Sequence, residues 1–301
     1  MTAAIHEQTL WDFASPGAAC DFELVTGDLP DRLGQPDSGG LFWSSDGERF
    51  MLETPNGPPF MCEAHGRRVI YDPAGGQARD VAAFAFGPLA GALAYQQGRL
   101  PLHASALETC GGLALLCGAS GAGKSTLAAA LARRGAALFA DDVVSVDWRA
   151  RPITATSMSR RLKLDEHSVE LAGVGAGEPV RTRVGEDADP RCYADVGAVT
   201  VSAARTGTVE RLYVLAERDR RPGAPVMELQ RLTGVEALAA VRDAVFRRAW
   251  GDALAGPGAI HQAAAVIAGA VEVYRFARTG DPARFSATVD RLEAHLRRRA
   301  P

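Results

Sequence analysis

The chain has 301 residues, 47% hydrophobic and 23% charged, enough for a large core and one to three domains. Its formal net charge of −3, with no basic block outside Arg297-Arg298-Arg299, gives no electrostatic case for a nucleic-acid partner. Five scattered cysteines (Cys20, Cys62, Cys110, Cys117, Cys192) lack metal-ligand spacing, the N-terminus lacks a secretory pattern, and charge or glycine interrupts the alanine-rich runs, so a cytoplasmic protein with unpaired thiols and no membrane span is expected.

Residues 1 to about 80 are rich in Gly, Pro and short mixed runs. The stretches 41–45, 49–53 and 67–71 read as strands between Asp-Gly, Asn-Gly and Gly-Gly turns, which predicts a small antiparallel β-rich module. Two roles suit it: a substrate-recruiting surface, or an extension covering an edge of a larger sheet. Residues 81–97 carry apolar and small residues at helical spacing and bridge into the core, so 1–100 form one unit.

Residues 100–107 then read as a strand containing His103, and 108–112 as a turn. A lone histidine in an apolar strand is either a satisfied core residue or a functional one. A short apolar run at 112–117 reads as a buried strand. Gly118-Ala119-Ser120-Gly121-Ala122-Gly123-Lys124-Ser125 follows, matching G-x-x-x-x-G-K-[ST], with Thr126 opening a helix that Gly135 ends. Glycines let the backbone wrap a phosphate chain, Lys124 supplies a mobile positive charge for the β- and γ-phosphates, and the Ser125 hydroxyl suits Mg²⁺. Strand, glycine loop and helix in that order aim a helix N-terminus at an anion. A nucleoside triphosphate is the ligand this context implies.

Residues 137–146 form a strand-like run interrupted by Asp141-Asp142. Paired carboxylates in an apolar run are costly unless they meet a cation or move a proton. One acid can join a Mg²⁺ shell while its neighbour takes a proton from an attacking hydroxyl; alternatively the pair only orients metal and water, as in an ATPase. Arg160, Arg161 and Lys163 precede an apolar-periodic stretch near the core and are candidate phosphate or peptide contacts. The Gly-, Pro- and charge-rich region 170–195 holds Arg181-Thr182-Arg183-Val184, either a basic loop closing on the phosphates or a solvated surface loop. Strands are expected at 209–215 and 226–229.

From Thr233 the pattern turns helical. Thr233-Gly234-Val235-Glu236 has capping-box spacing, a second helix is expected over 259–274, and a third after Thr279-Gly280-Asp281-Pro282, so 233–301 reads as a helical segment. These helices either pack on the sheet or serve a partner, and homo-oligomerisation stays open.

The order of histidine, phosphate loop and closely following Asp-Asp pair, with its short Lys124-to-Asp142 interval, resembles the catalytic domain of HPr kinase/phosphorylase and its kinase-like relatives. The likeness is strong over 100–146 and thin beyond. It implies an α/β phosphate-loop kinase core over 101–232, between the N-terminal β-rich module and the C-terminal helices. It also implies ATP and Mg²⁺, with His103 an active-site histidine, Lys124 the phosphate-binding lysine, Ser125 a Mg²⁺ ligand, Asp142 the general base and Asp141 its companion near metal or base. The family's Glu-Ile-Arg-Gly-type segment has no aligned Glu in 158–164, and neither Glu166 nor Glu170 can be assigned to its place. The loop that the bifunctional family uses for dephosphorylation is not visible, which argues for a kinase alone. The runs 86–105 and 211–215 are similar to stand-alone members, some of which phosphorylate the C-terminal serine of lasso-peptide precursors. The acceptor implied is therefore a peptide or small protein bearing a serine. A regulatory kinase acting on an HPr-like phosphocarrier, and an ATPase or nucleotide switch, are the alternatives.

Overall fold

The short mixed runs of the N-terminal third become β1 (Glu23–Thr26), β2 (Gly39–Gly40), β3 (Trp43–Ser45), β4 (Phe50–Leu52), β5 (Phe60–Glu63) and β6 (Arg68–Tyr71). They form one six-stranded sheet, ordered β1-β6-β5-β4-β3-β2 and antiparallel except for β1 on β6. The computed structural model describes residues 22–34, 39–53, 58–72, 87–179, 191–195, 197 and 199–298. The expected Asn-Gly and Gly-Gly turns, the start of the bridging helix at 81–86, Cys20 and Arg181–Val184 lie outside them. Period-2 alternation sorts the side chains of this sheet. Phe50, Leu52, Phe60, Cys62, Val69 and Tyr71 enter the main core, whereas Met51 and Met61 meet Leu33 on the other face.

The bridging helix, α1 (Pro88–Gln96), buries Leu89 through Tyr95 without a break. A helix apolar on every side is stable only between two partners, and α1 lies between β5 of the first sheet and two strands of the main sheet, β7 (Leu100–Glu108) and β10 (Val143–Asp147). The β-rich module therefore packs its apolar face on helices; among the described residues it pairs no strand with the edge of the main sheet.

The main sheet has eight strands. Besides β7 and β10 these are β8 (Leu113–Cys117), β9 (Leu138–Ala140), β11 (Thr154–Ser157), β15 (Thr206–Leu215), β16 (Met227–Leu232) and β17 (Glu272–Arg278). Their order is β11-β10-β7-β8-β15-β17-β16, with β9 on β7. Strands β8, β15 and β17 are mutually parallel, and β7 and β16 run against their neighbours. The start of β15 also pairs with β11, closing β7, β10, β11, β15 and β8 into a ring.

Alternation along β8 feeds two cores: Leu113, Leu115 and Cys117 on one face, Ala114 and Leu116 on the other. The first face is covered by α4 (Gly234–Asp243), α5 (Arg248–Leu254) and α6 (Pro257–Ala270), the second by α2 (Lys124–Arg133), α3 (Glu166–Ala172) and α7 (Phe285–Leu296). A small sheet of β12 (Lys163–Leu164), β14 (Cys192–Ala194) and β13 (Ala176–Pro179) adjoins α3. Asp165 caps α3 by accepting from Ser168 N, and Gly173 ends it at φ 66°.

The C-terminal segment differs from its helical expectation. The helix expected over 259–274 stops at Ala270, and Glu272–Arg278 is a strand inserted between β15 and β16. Val271, Val273 and Phe276 are buried, so β-branched and aromatic residues follow the sheet's alternation there. No single helix among the described residues is long and apolar enough to cross a membrane.

Candidate active site

The phosphate loop leaves β8 at its carboxyl end, where open α/β sheets place ligands. Gly121 (φ 78°) and Gly123 (φ 94°) occupy left-handed conformations that side chains resist. Gly123 caps α2 without any side-chain hydrogen bond, leaving the helix's first N–H groups free of a side-chain cap and suited to an anion. The Lys124 ammonium folds onto the loop, donating to the carbonyls of Gly118 (2.9 Å) and Ala119 (3.0 Å). Burial lowers its pKa, against the opposing charges of Asp141, Cys117 and Asp142.

The acids lie where one long strand is interrupted. Both β9 and β10 pair with β7, in registers Ala140↔Ala106 and Val143↔His103, so Asp141 and Asp142 fall opposite Ala104 and Ser105. Val143 N donates to Asp141 O at 3.0 Å and Asp142 takes φ 71°, turning the two carboxylates into different surroundings. Asp141 is 2% exposed. It accepts from the Ser105 hydroxyl at 2.6 Å and from the Ser125 hydroxyl at 3.0 Å. Burial raises its pKa, reinforced by the Asp142 charge and resisted by both hydroxyls.

Asp142 has the opposite character. His103 Nδ1 lies 3.0 Å from the Asp142 carbonyl and 3.4 Å from Oδ1, two acceptors that assign the ring hydrogen to Nδ1. Lys163 Nζ stands 3.6 Å from Oδ2. Burial works against the charge of Asp142, but the His103 hydrogen bond and the charges of Lys163, His103 and Arg191 outweigh it and hold the carboxyl well below the usual range.

The structure thus brings Gly118, Ala119, Ser120, Gly121, Ala122, Gly123, Lys124, Ser125, His103, Asp141, Asp142 and Lys163 to one place. Thr126 sits at the loop's end with its hydroxyl donating to Ser168, a tie between α2 and α3. Two of the three basic candidates lie elsewhere. Arg160 is buried beneath β9, its guanidinium donating to the carbonyls of Phe139 and Ala204, so it is an internal brace instead of a phosphate contact. Arg161 stacks on Tyr193 at 4.3 Å. Glu166 and Glu170 are exposed on α3, and neither contacts the acids.

Sequence reasoning missed three contributors. Ser105 shares a strand face with His103, two residues on, so the alternation that found one could have found both. Arg247 follows α4 at φ 42°, with its guanidinium over Trp250 (4.5 Å) and Phe246 (5.6 Å). Hydrogen bonds from His103 N to Ala244 O (2.8 Å) and from Phe246 N to Pro101 O (3.0 Å) stitch that segment to β7. Burial lowers the pKa of Arg247, and the charge of Asp142 acts against this. Arg278 donates to the Ala122 carbonyl of the loop at 3.0 Å. Neither arginine has a local sequence signal, because the sheet alone brings residues 247 and 278 to residues 103 and 122.

The donor set fits Mg²⁺. Ser125 Oγ and the Asp141 carboxylate are adjacent hard oxygens, and Mg²⁺ is commonly held by one or two such groups together with substrate phosphates. Among the described residues no cluster of three or more His, Cys, Asp or Glu forms an all-protein metal cage.

Fold and site together define an α/β protein with a phosphate loop at the carboxyl end of a sheet strand. No family model matches the chain. It is 38% identical over 73 residues, 24% of its length, to the HPr kinase/phosphorylase of Chlorobium limicola (strain DSM 245 / NBRC 103803 / 6330). It is 40% identical over 81 residues, 27% of its length, to the HPr kinase/phosphorylase of Chlorobium chlorochromatii (strain CaD3). Each match spans 22% of the relative, so the chain covers about a fifth of the curated relatives it matches. Among solved structures, the Hpr(Ser) kinase/phosphatase from Coxiella burnetii aligns with 65% of this chain and 89% of that one, at TM-score 0.32 and 14% identity. Over that matched segment of 73 to 81 residues the chain is similar to HPr kinase/phosphorylases.

Proposed function

We propose that this chain is an ATP-dependent kinase that transfers the γ-phosphoryl group to a serine hydroxyl of a peptide, the C-terminal serine of a lasso-type precursor in the reading that the resemblance to stand-alone relatives suggests. The observation that carries the kinase reading is the division of labour between the two acids. Asp141 is buried against Ser125 of the loop, whereas Asp142 is ionised, held by His103 and Lys163, and its side chain is 31% exposed.

In the reaction, backbone N–H groups of the loop and Lys124 take the donor's phosphates, Lys124 exchanging its carbonyl partners for phosphoryl oxygens. Asp142 accepts the serine proton as that oxygen attacks phosphorus; the new P–O bond forms while the bond to the ADP oxygen breaks. His103 and Lys163 keep Asp142 oriented and charged. Ser125 and Asp141 would hold Mg²⁺, whose chemistry is to neutralise charge on the phosphates.

The names of the matched relatives support a second reading, a serine of an HPr-like carrier as acceptor. Intact-mass spectrometry with ATP and Mg²⁺ tests both, using a serine-terminated lasso-type precursor, an HPr-like carrier and no acceptor. One added phosphate on the peptide alone supports the first reading, and on the carrier alone the second. ATP hydrolysis without any added mass would overturn the kinase assignment in favour of an ATPase.

A further inference from the structure

The acids flank the phosphate loop on the β7 side of β8. The opposite flank, at the carboxyl ends of β15 and β17, carries a different group of side chains. These two strands stay together past the sheet edge: Ala216 N donates to Phe276 O (2.8 Å), Asp219 N to Arg278 O (2.9 Å) and Gly280 N to Asp219 O (2.7 Å). From this paired extension two arginines turn onto the loop. Arg278 Nη2 donates to Ala122 O at 3.0 Å and Arg218 Nη2 to Gly121 O at 3.3 Å.

Arg278 is 5% exposed. Among the described residues no carboxylate pairs with it; its other neighbour is the ring of Phe285, 5.8 Å away. Burial and the like charge of Arg218 push its pKa down to about 10. A buried guanidinium with a second, partly exposed guanidinium beside it is unfavourable without an anion between or beside them. A Cβ at Gly123 would collide with Arg278 Nη2, so the arginine lies directly against the loop's last glycine.

Behind this pair lies a cleft of about 360 Å³ lined by Arg220, Arg221, Pro222, Gly223, Thr279, Gly280, Asp281 and Arg284. Much of its polar rim is already engaged. Arg221 pairs with Asp219, Arg284 donates to Ala224 O, and Asp281 caps the turn at Ala283. Among the described residues Arg220 makes no such pairing, and its stem passes 3.0 Å from where a Cβ at Gly280 would stand.

The direction of the donor follows from these positions. If the phosphate being transferred lies at Asp142, the phosphate chain crosses the loop toward the opposite flank, where Arg218 and Arg278 wait. We propose that Arg218 and Arg278 hold the inner phosphate of a nucleoside triphosphate, and that the cleft between the loops after β15 and β17 seats its ribose and base. The assignment rests on the phosphate-donor reading above and adds the nucleoside half. The cleft volume is within the range of small-molecule sites. With no aromatic ring among its lining residues, the base is held by the guanidinium plane of Arg220 and by backbone groups.

Calorimetric titration with Mg-ATP and, separately, with inorganic tripolyphosphate tests it at about 0.15 M salt, where long-range charge is screened. Arg220→Ala should weaken ATP roughly fivefold and leave tripolyphosphate unchanged, because it touches only the nucleoside. Arg278→Met should weaken both roughly tenfold, as expected for a lost charged hydrogen bond. The exposed position of Arg220 keeps the test decisive even if the buried Arg278 variant fails to fold. ATP affinity unchanged in Arg220→Ala, or tripolyphosphate affinity lost in equal measure, overturns the nucleoside assignment. Lys124→Ala separates the two levels: if it leaves ATP binding intact, the phosphate-loop reading itself fails, independently of the cleft.

Discussion

Asp142 stands at φ 71°, a conformation that Asn shares readily and that Ala or larger residues resist. Asp142→Asn should therefore keep fold and ATP affinity while turnover falls by about 10²–10⁴, the usual range for a lost general base. Asp142→Ala should lose turnover to the same degree and also melt earlier. Near-normal transfer by the Asn variant would remove Asp142 from the role of base. Arg247 is the residue-scale surprise, a desolvated guanidinium stacked on Trp250 and felt by Asp142 across the site. Arg247→Met should lower turnover about a hundredfold with ATP affinity unchanged, in line with loss of one charge-stabilising donor. At Gly123 the φ of 94° and the crowding by Arg278 act together. Gly123→Ala should cost about 1–2 kcal/mol in backbone strain alone, and calorimetry should show ATP binding weakened at least about tenfold, since a charged contact is displaced as well.

At the scale of elements, α7 is fastened by a polar cluster at its C-terminal end. The buried Arg211 of β15 donates to the carbonyls of His295, Leu296 and Arg298 and pairs with Glu272. Tyr213 OH meets His295 Nδ1 at 2.8 Å, and Tyr274 contacts the same ring edge-on. Burial, with Arg211 and Arg298 nearby, lowers the His295 pKa, while Glu272 acts the other way. A histidine with a lowered folded value takes up its proton later than it does in the unfolded chain. Its share of stability is complete above about pH 6.5 and is lost as pH falls through the folded value. Melting temperature measured from pH 7 to pH 5 should fall in the native chain and fall less in His295→Phe. An identical slope would separate α7 anchoring from this titration.

Across the whole molecule, the β-rich module and the phosphate-loop core share one apolar interior. Trp43 stacks on Phe50 at 5.8 Å, Phe50 meets Trp250 of α5 at 4.7 Å, and Tyr95 of α1 donates to Phe246 O at 2.6 Å. The same aromatic chain continues through Phe246 to His103, 6.0 Å away, so packing in the module and placement of the active-site histidine are physically joined. Trp250→Ala should destabilise the chain by about 3–5 kcal/mol, the range for a buried aromatic truncated to Ala. Because the cavity opens between module and core, urea unfolding followed by far-UV dichroism and tryptophan fluorescence should shift as one transition. Two separated transitions would show that the module unfolds on its own.

Local chemistry was sufficient for the strand, glycine loop and helix of the phosphate site, because their turn geometry and backbone N–H groups are encoded within one short run. The Asp141-Asp142 interruption was legible for the same reason: two adjacent charges in an apolar strand have to meet something. The different characters of those acids were not legible, since they depend on Ser105 and Ser125 meeting one carboxylate while His103 and Lys163 meet the other. Helical spacing carried the expected helix on to residue 274, whereas pairing with the edge of β15 takes Glu272–Arg278 as a strand. Arg160, Arg161 and Lys163 looked alike as a basic run, yet β12 aims only Lys163 at Asp142. Sequence by itself determined the loop, its lysine and the acid pair. Tertiary structure decided which distant side chains complete them, because sheet order joins residues that no local pattern connects.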